Sequence, residues 1–211
     1  MVTNSKRIEA FLEARRYTRE EVLDKSRPVP QAPGVYGWWF RKLPADIDTR
    51  KCKKREGLTL LYTGISPKEP PKNGARPSSQ NLRKRIRTHY TGNAAGSTLR
   101  LSLGCLLDEE LAIDLRRYGS MEKRRHFGKG EPFLSGWMHD NALVSWIVID
   151  QPRILEKELI AELDLPLNCD GNQHNAFHKT LTDRRSELAA RADNCDKLPN
   201  PGVGGAKIAY R

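Results

Sequence analysis

The chain has 211 residues, 37% hydrophobic and 30% charged, a size and balance that suit one compact soluble domain, or one domain with a small appendage, and exclude disorder as the main state. Its net charge of +11 is concentrated: residues 1–107 carry +13 and residues 108–211 carry −2, with no acidic residue between Glu69 and Asp108. Such a field attracts polyanions, nucleic acid being the commonest in a cytosol, and a solvated basic surface is the alternative.

In chain order, residues 5–25 read as an amphipathic helix (Ile8, Phe11, Leu12, Val22, Leu23) that ends before Pro28 and Pro30, making residues 1–30 an N-terminal helical extension. The start MVTNSKRIEAFLEARR carries charges where a secretory signal needs an apolar block, and no apolar run approaches the roughly 20 residues of a membrane span. After the turn at Ala32-Pro33-Gly34, the run Val35–Phe40 has strand character. The segment 41–57 reads as a loop; within it, Arg41–Arg55 holds seven basic residues, among them Lys51, Lys53, Lys54 and Arg55. Leu58–Thr63 reads as a second strand closed by Gly64, and a proline-rich loop (Pro67, Pro70, Pro71, Pro77) leads to a helix over Asn81–Tyr90. Beyond it, Thr98–Leu107 reads as helix, Leu111–Leu115 as strand, Pro132–Asn141 as a short helix, Leu143–Ile149 as strand and Ile154–Leu163 as a helix opened by Pro152. A tail follows from 191, rich in Pro and Gly over Pro199–Gly205. Cys52, Cys105, Cys169 and Cys195 are scattered without a C-x-x-C, which fits reduced thiols in a cytosol better than a disulfide framework.

Helical phase singles out a few polar residues. At 100° per residue Leu82, Ile86 and Tyr90 form the apolar stripe of the second helix, and Arg85 and His89 share one edge of it, while Lys84 and Arg87 point away. An arginine and a histidine so placed can grip a phosphate, the first by its planar fork and the second by a ring N–H; a chance surface pair is the alternative. In the helix after Pro152, Leu155, Leu159, Ile160 and Leu163 define the core face, and Glu156 falls inside that arc while Lys157 and Glu158 fall outside. A carboxylate there is costly unless paired, protonated or bound to a metal, so a hard divalent cation and an ion pair with an arginine such as Arg85 are equal readings. Strand alternation sets Tyr36 with Trp38 and Phe40, and Tyr62 with Leu58 and Leu60; Gly37 and Gly64 would let another group approach the backbone.

Taken together, Gly34-Val35-Tyr36, Tyr62-Thr63-Gly64, Arg85 with His89 in Leu82–His89, Glu156 in a helix reading L-E-x-x-L-I, and Asn168 in Pro166-Leu167-Asn168 resemble the GIY-YIG nuclease superfamily in order and wording. The resemblance covers about a quarter of the chain, over residues 33–40, 58–64, 81–90 and 143–168. The 26 positions from Tyr36 to Tyr62 resemble the restriction-endonuclease branch; Thr63 replaces the usual Ile or Val, a change expected to be harmless. The resemblance implies an α/β domain over 31–190, with a small antiparallel three-stranded sheet flanked by helices, insertions at 41–57, 65–80 and 91–141, and helical elaborations. It implies catalytic roles for Tyr36, Tyr62, Arg85, His89, Glu156 and Asn168, with Glu156 holding Mg²⁺ or Mn²⁺.

The expected activity is metal-dependent hydrolysis of DNA, duplex in the favoured reading, with Tyr36, or Tyr62 with His89, as base; RNA is not excluded. Cations beyond the catalytic set (Lys51, Lys53, Lys54, Arg55, Arg83, Lys84, Arg87) would hold the nucleic-acid backbone. A restriction-type enzyme would act as a homodimer cutting both strands; a structure-specific repair or mobile-element nuclease and an inactive nucleic-acid-binding module are the rivals. Three weaker features stand apart from this set. Cys169, His174 and His178, with Cys195, have a zinc-like spacing but read better as a loop-to-helix segment. Gly92–Thr98 is either an anion cradle or a Ser/Thr helix cap, the cap being favoured. Trp137, Trp146 and Phe133 are core candidates.

Overall fold

The structure is a computed structural model and describes residues 4–68, 78–119 and 124–199. The elements are α1 (Asn4–Glu13), β1 (Arg16–Tyr17), α2 (Arg19–Leu23), β2 (Gly34–Phe40), β3 (Lys54–Arg55), β4 (Leu58–Ser66), α3 (Leu82–Thr91), α4 (Thr98–Leu106), β5 (Arg116–Arg117), β6 (Arg125–His126), α5 (Glu131–Asn141), β7 (Ala142–Val148), α6 (Pro152–Glu162) and α7 (His178–Asp193). The fold is mixed α/β, with an antiparallel sheet of order β1-β7-β2-β4-β3 between helices. The three expected strands form its centre. The sheet nevertheless has five strands, because Arg16–Tyr17 and Lys54–Arg55 add a two-residue strand at each edge.

The first of these additions breaks the single helix expected over 5–25. Arg16 and Tyr17 pair with Ser145 and Val144, and Thr18 then starts α2 with a reciprocal capping box to Glu21. The second lies inside the segment 41–57, read as a loop. Leu111–Leu115 is not a strand: Ile113 and Leu115 are buried from an irregular connection whose Ile113 N–H donates to the Asp108 carbonyl at 2.9 Å. Phe133 is 62% exposed rather than core, since α5 turns Leu134, Trp137 and Met138 inward and leaves Phe133 off that face. Trp137 is buried and Trp146 stacks on Tyr17 at 4.2 Å between ring centres. At the far end α7 continues through Arg191 to Asp193, and the Leu198 N–H donates to the Arg117 carbonyl at 3.0 Å; most of the glycine-rich tail, like Pro70–Pro77 of the proline loop, lies outside the described residues.

Each face of the sheet carries its own core. On one, Val35, Trp39, Leu58, Leu60 and Leu143 pack against Ile8 and Phe11 of α1 and Leu155 and Leu159 of α6. On the other, Tyr36, Trp38, Phe40, Leu61 and Tyr62 meet Leu82, Ile86 and Tyr90 of α3 together with α4 and α5. Tyr62 therefore does not share a face with Leu58 and Leu60 as simple alternation predicts. Trp38 pairs with Tyr62 but Trp39 with Leu60, so Leu61 is an extra residue whose bulge reverses the side-chain phase along β4. That one residue brings both tyrosines to the same face.

Candidate active site

Three elements converge on the sheet face that carries Tyr36 and Tyr62. Helix α3 is set by Asn81, whose side chain accepts from the Lys84 N–H, and docks through Leu82 N–H to the Ala32 carbonyl at 3.0 Å. The apolar stripe of α3 buries Leu82, Ile86 and Tyr90, which places Arg85 and His89 over β2. Helix α6 buries Leu155 and Leu159 and leaves Glu156 half-buried at the edge of that contact. After α6, the Leu167 N–H donates to the Leu61 carbonyl at 3.0 Å, and the Asn168 amide closes on Thr63 by accepting from its N–H and donating to its carbonyl, both at 2.9 Å. Asn168 thus clamps β4 immediately after Tyr62.

The Tyr36 phenol is the hub. Arg85 Nε–H donates to its oxygen at 3.3 Å, and His89 Nε2 lies 2.9 Å away. His89 Nδ1 is 2.7 Å from Ser97 Oγ, which also accepts from the Arg100 N–H at 3.1 Å. The bonds are mutually consistent if Nδ1–H donates to Ser97 and Tyr36 donates to Nε2. Gly64 makes room for this hub: a Cβ there would meet the Tyr36 hydroxyl at 2.6 Å. Thr63, expected to be a neutral replacement, has a task of its own, its hydroxyl donating to the Tyr36 carbonyl at 3.1 Å.

Tyr36, Tyr62, Arg85, Glu156 and Asn168 line one cavity of about 640 Å³. His89 does not. It is fully buried with both ring nitrogens engaged, so the direct phosphate contact expected from its helical phase is not available, and it acts on the cavity through Tyr36. The Arg85–Glu156 ion pair weighed from the sequence is also absent among the described residues: Arg85 Nη1 donates instead to the Gly96 carbonyl at 2.8 Å. The loop Gly92–Thr98 resolves into caps, Asn93 for a short 3-10 turn and Ser97 for α4.

Burial dominates the titration of these groups. It pushes the Tyr36 and Tyr62 phenols up, Tyr62 well above its ordinary value, while Arg85 opposes the rise in both. It holds His89 well below its ordinary value, reinforced by Arg85 and Arg100, so the ring is neutral near pH 7. It raises Glu156 to about 7, with Lys68 opposing and Asp170 adding to the rise. Among the described residues no hydrogen bond reaches the Glu156 carboxylate, and no three of His, Cys, Asp and Glu gather as a metal cluster, the zinc-like set around Cys169 included.

The cavity also has cations that the sequence reasoning did not assign to it: Lys68, two residues beyond β4, and on α6 Arg153 and Lys157, the latter set outside the core arc by helical phase. Arg153 was open to the same phase argument, since it precedes Glu156 by three positions. The expected backbone-binding cations stand elsewhere. Lys51, Lys53, Lys54 and Arg55 belong to the segment joining the Phe40 end of β2 to the Leu58 end of β4, whereas Tyr36 and Gly64 pair near the opposite ends, so the segment does not lie beside the site. Arg55 is held by Glu13 and Glu56, and Arg83 by the Val29 carbonyl at 2.6 Å. Lys84 donates to the Ser79 carbonyl at 3.1 Å, and Arg87 is exposed.

No curated protein and no solved structure matches the chain. Residues 34–187, well over half of its length, match the GIY-YIG catalytic domain family. That span contains both tyrosines, the α3 arginine and histidine, Glu156 and Asn168, on an antiparallel sheet between helices. The chain therefore belongs to the GIY-YIG nuclease superfamily, and its domain is that of a nuclease acting on nucleic acid.

Proposed function

We propose that the protein is a Mg²⁺-dependent endonuclease that hydrolyses phosphodiester bonds of duplex DNA. The observation that carries this reading is the lining of a single cavity by Tyr36, Tyr62, Arg85, Glu156 and Asn168. Phosphoryl transfer needs a phosphate held in place, a route for the nucleophile's proton, and neutralisation of charge on the oxygens. Arg85 holds the phosphate: its Nε–H is fixed on Tyr36 and one Nη on Gly96, leaving the rest of its fork for a non-bridging oxygen. Tyr36 takes the proton of the attacking water at its oxygen as it passes its own to His89 Nε2. Arg85 stabilises any phenolate character, and the neutral ring is free to accept. Tyr62 closes the cavity from the neighbouring strand, held there by Asn168 on Thr63.

The donor set suits a hard cation rather than zinc. Mg²⁺ commonly takes one or two carboxylates and completes its shell with water and substrate phosphate, and Glu156 is a cavity carboxylate without a hydrogen-bonding partner among the described residues. Bound there, the ion would stabilise the leaving 3′ oxygen. The 26-residue spacing between the tyrosines supports a restriction-type enzyme that cuts both strands as a homodimer. Incubation with supercoiled plasmid tests the reading: conversion to linear product with Mg²⁺ and none in EDTA is expected. Turnover persisting in EDTA contradicts the metal assignment, and nicked circles as the end product contradict the paired cut.

A further inference from the structure

A second cavity, of about 910 Å³, opens beside the first and shares Cys169 and Asp170 with it. Its other walls come from Asn93–Gly96, from Arg124 and Arg125, and from α7 with the turn before it, elements that contribute none of the six site residues. Three arginines line it against a single carboxylate, Asp170. Two of its charged neighbours are already neutralised: Arg125 is bonded to both oxygens of Asp193, and Arg184 is held by Asp108, Glu109 and Glu187. Arg185 differs. Its half-buried guanidinium has the Cys169 sulfur 2.8 Å from Nη1 and makes no ion pair among the described residues. A thiol is a weak acceptor and a guanidinium offers five donors, so most of the fork remains for another anion, where the two cavities meet.

We infer that the second cavity holds the nucleic-acid backbone next to the scissile phosphate, with Arg185 gripping the adjacent phosphate and Arg124 and Gln173 following it outward. The inference rests on the nuclease reading above. A phosphate on Arg85 continues naturally along this path, because Arg85 donates to Gly96, itself part of the second wall. Asn93, Gln173 and Ser186 supply the uncharged polar groups that sugar and phosphate oxygens accept from. Such contacts fix register and add affinity without reading bases.

Binding of a fluorescent duplex, measured in EDTA over a range of salt, tests the assignment. Arg185→Gln should weaken binding roughly tenfold and flatten the plot of log K against log salt by about 0.9, the effect of one phosphate contact. Arg185→Lys should restore the slope, because it returns the charge, while Arg191→Gln on the exposed side of α7 should leave it unchanged. If Arg185→Gln disturbs folding, the double variant Arg124→Gln/Gln173→Ala, both exposed, should show the same flattening of about 0.9. Slopes equal to wild type in both sets overturn the inference. Plasmid cleavage measured alongside separates the two readings. Cutting with unaltered slopes leaves the nuclease and removes this cavity's role; flattened slopes without cutting do the reverse; absence of salt-dependent binding removes both.

Discussion

Tyr36 lies across the backbone of the neighbouring strand, and Gly64 is the residue that permits it. Gly64→Ala would put a methyl group within 2.6 Å of the Tyr36 hydroxyl and 2.8 Å of its ring, so the phenol would have to leave the position in which Arg85 and His89 hold it. A displacement of about 1 Å in a reacting group costs about a hundredfold in rate, so cleavage should fall at least that far while thermal melting shows a loss of about 1–3 kcal/mol. Glu156 gives a second prediction. Glu156→Gln should abolish cleavage and leave DNA binding equal or tighter, because a negative charge beside phosphate has gone. The same variant reports the carboxylate's environment without metal. Burial raises Glu156 from 4.5 to about 7, so the folded state holds its proton more tightly than the unfolded chain. In EDTA the wild type should therefore lose stability as pH rises from about 4.5 to 7, on the order of 2 kcal/mol, a loss absent from the glutamine variant; parallel pH profiles would contradict it. Helical phase made Arg85 and Glu156 legible in the sequence, since each sits on an apolar stripe. The same argument placed His89 correctly beside the site and misread its contact, because Ser97, eight residues on at the start of α4, occupies its second nitrogen.

At the scale of elements, the described part of the insertion 91–141 braces the site from behind. Arg100 of α4 is fully buried, bonds the Glu131 carboxylate at 2.6 and 3.0 Å, and donates to the His89 carbonyl at 3.1 Å. Glu131 in turn accepts from the Ala94 and Phe127 N–H groups. Removing one partner strands the other charge, so Arg100→Ala should cost about 3–5 kcal/mol in urea unfolding; a loss below 1 kcal/mol would show that the brace is dispensable. Long periodic elements such as α3, α6 and β7 were legible because one face of each is buried. The two-residue strands β1 and β3 were not, since their pairing is imposed by β7 and β4 rather than by any period of their own. The bulge at Leu61 was equally hidden: nothing in Leu58–Tyr62 marks the extra residue, yet it decides which face Tyr62 occupies. The basic segment between β2 and β4 also changes meaning once placed. Arg55 is spent on Glu13 and Glu56, leaving Lys51, Lys53 and Lys54 exposed and without ion pairs among the described residues. Replacing these three lysines with glutamine should lower the salt slope of binding by up to about 2.7 and leave the cleavage sites unchanged. An unaltered slope would make the segment a solvated loop.

The whole molecule divides its charge between chemistry and capture. The +13 of residues 1–107 includes one arginine that reaches the Tyr36 hydroxyl, and many cations, Arg87 among them, that stand on the outer surface. Net charge alone located the excess without separating the two roles; helical phase separated them, because Arg85 and Arg87 leave the same helix in different directions. Their contrast tests the central claim that the cavity between α3, α6 and the two tyrosines is where the phosphodiester is cleaved. Single-turnover cleavage at saturating DNA with Mg²⁺ should fall by several orders of magnitude in Arg85→Ala. In Arg87→Ala it should stay within about tenfold of wild type, with the change confined to binding and its salt dependence. Equal losses in the two variants under saturation would contradict the account.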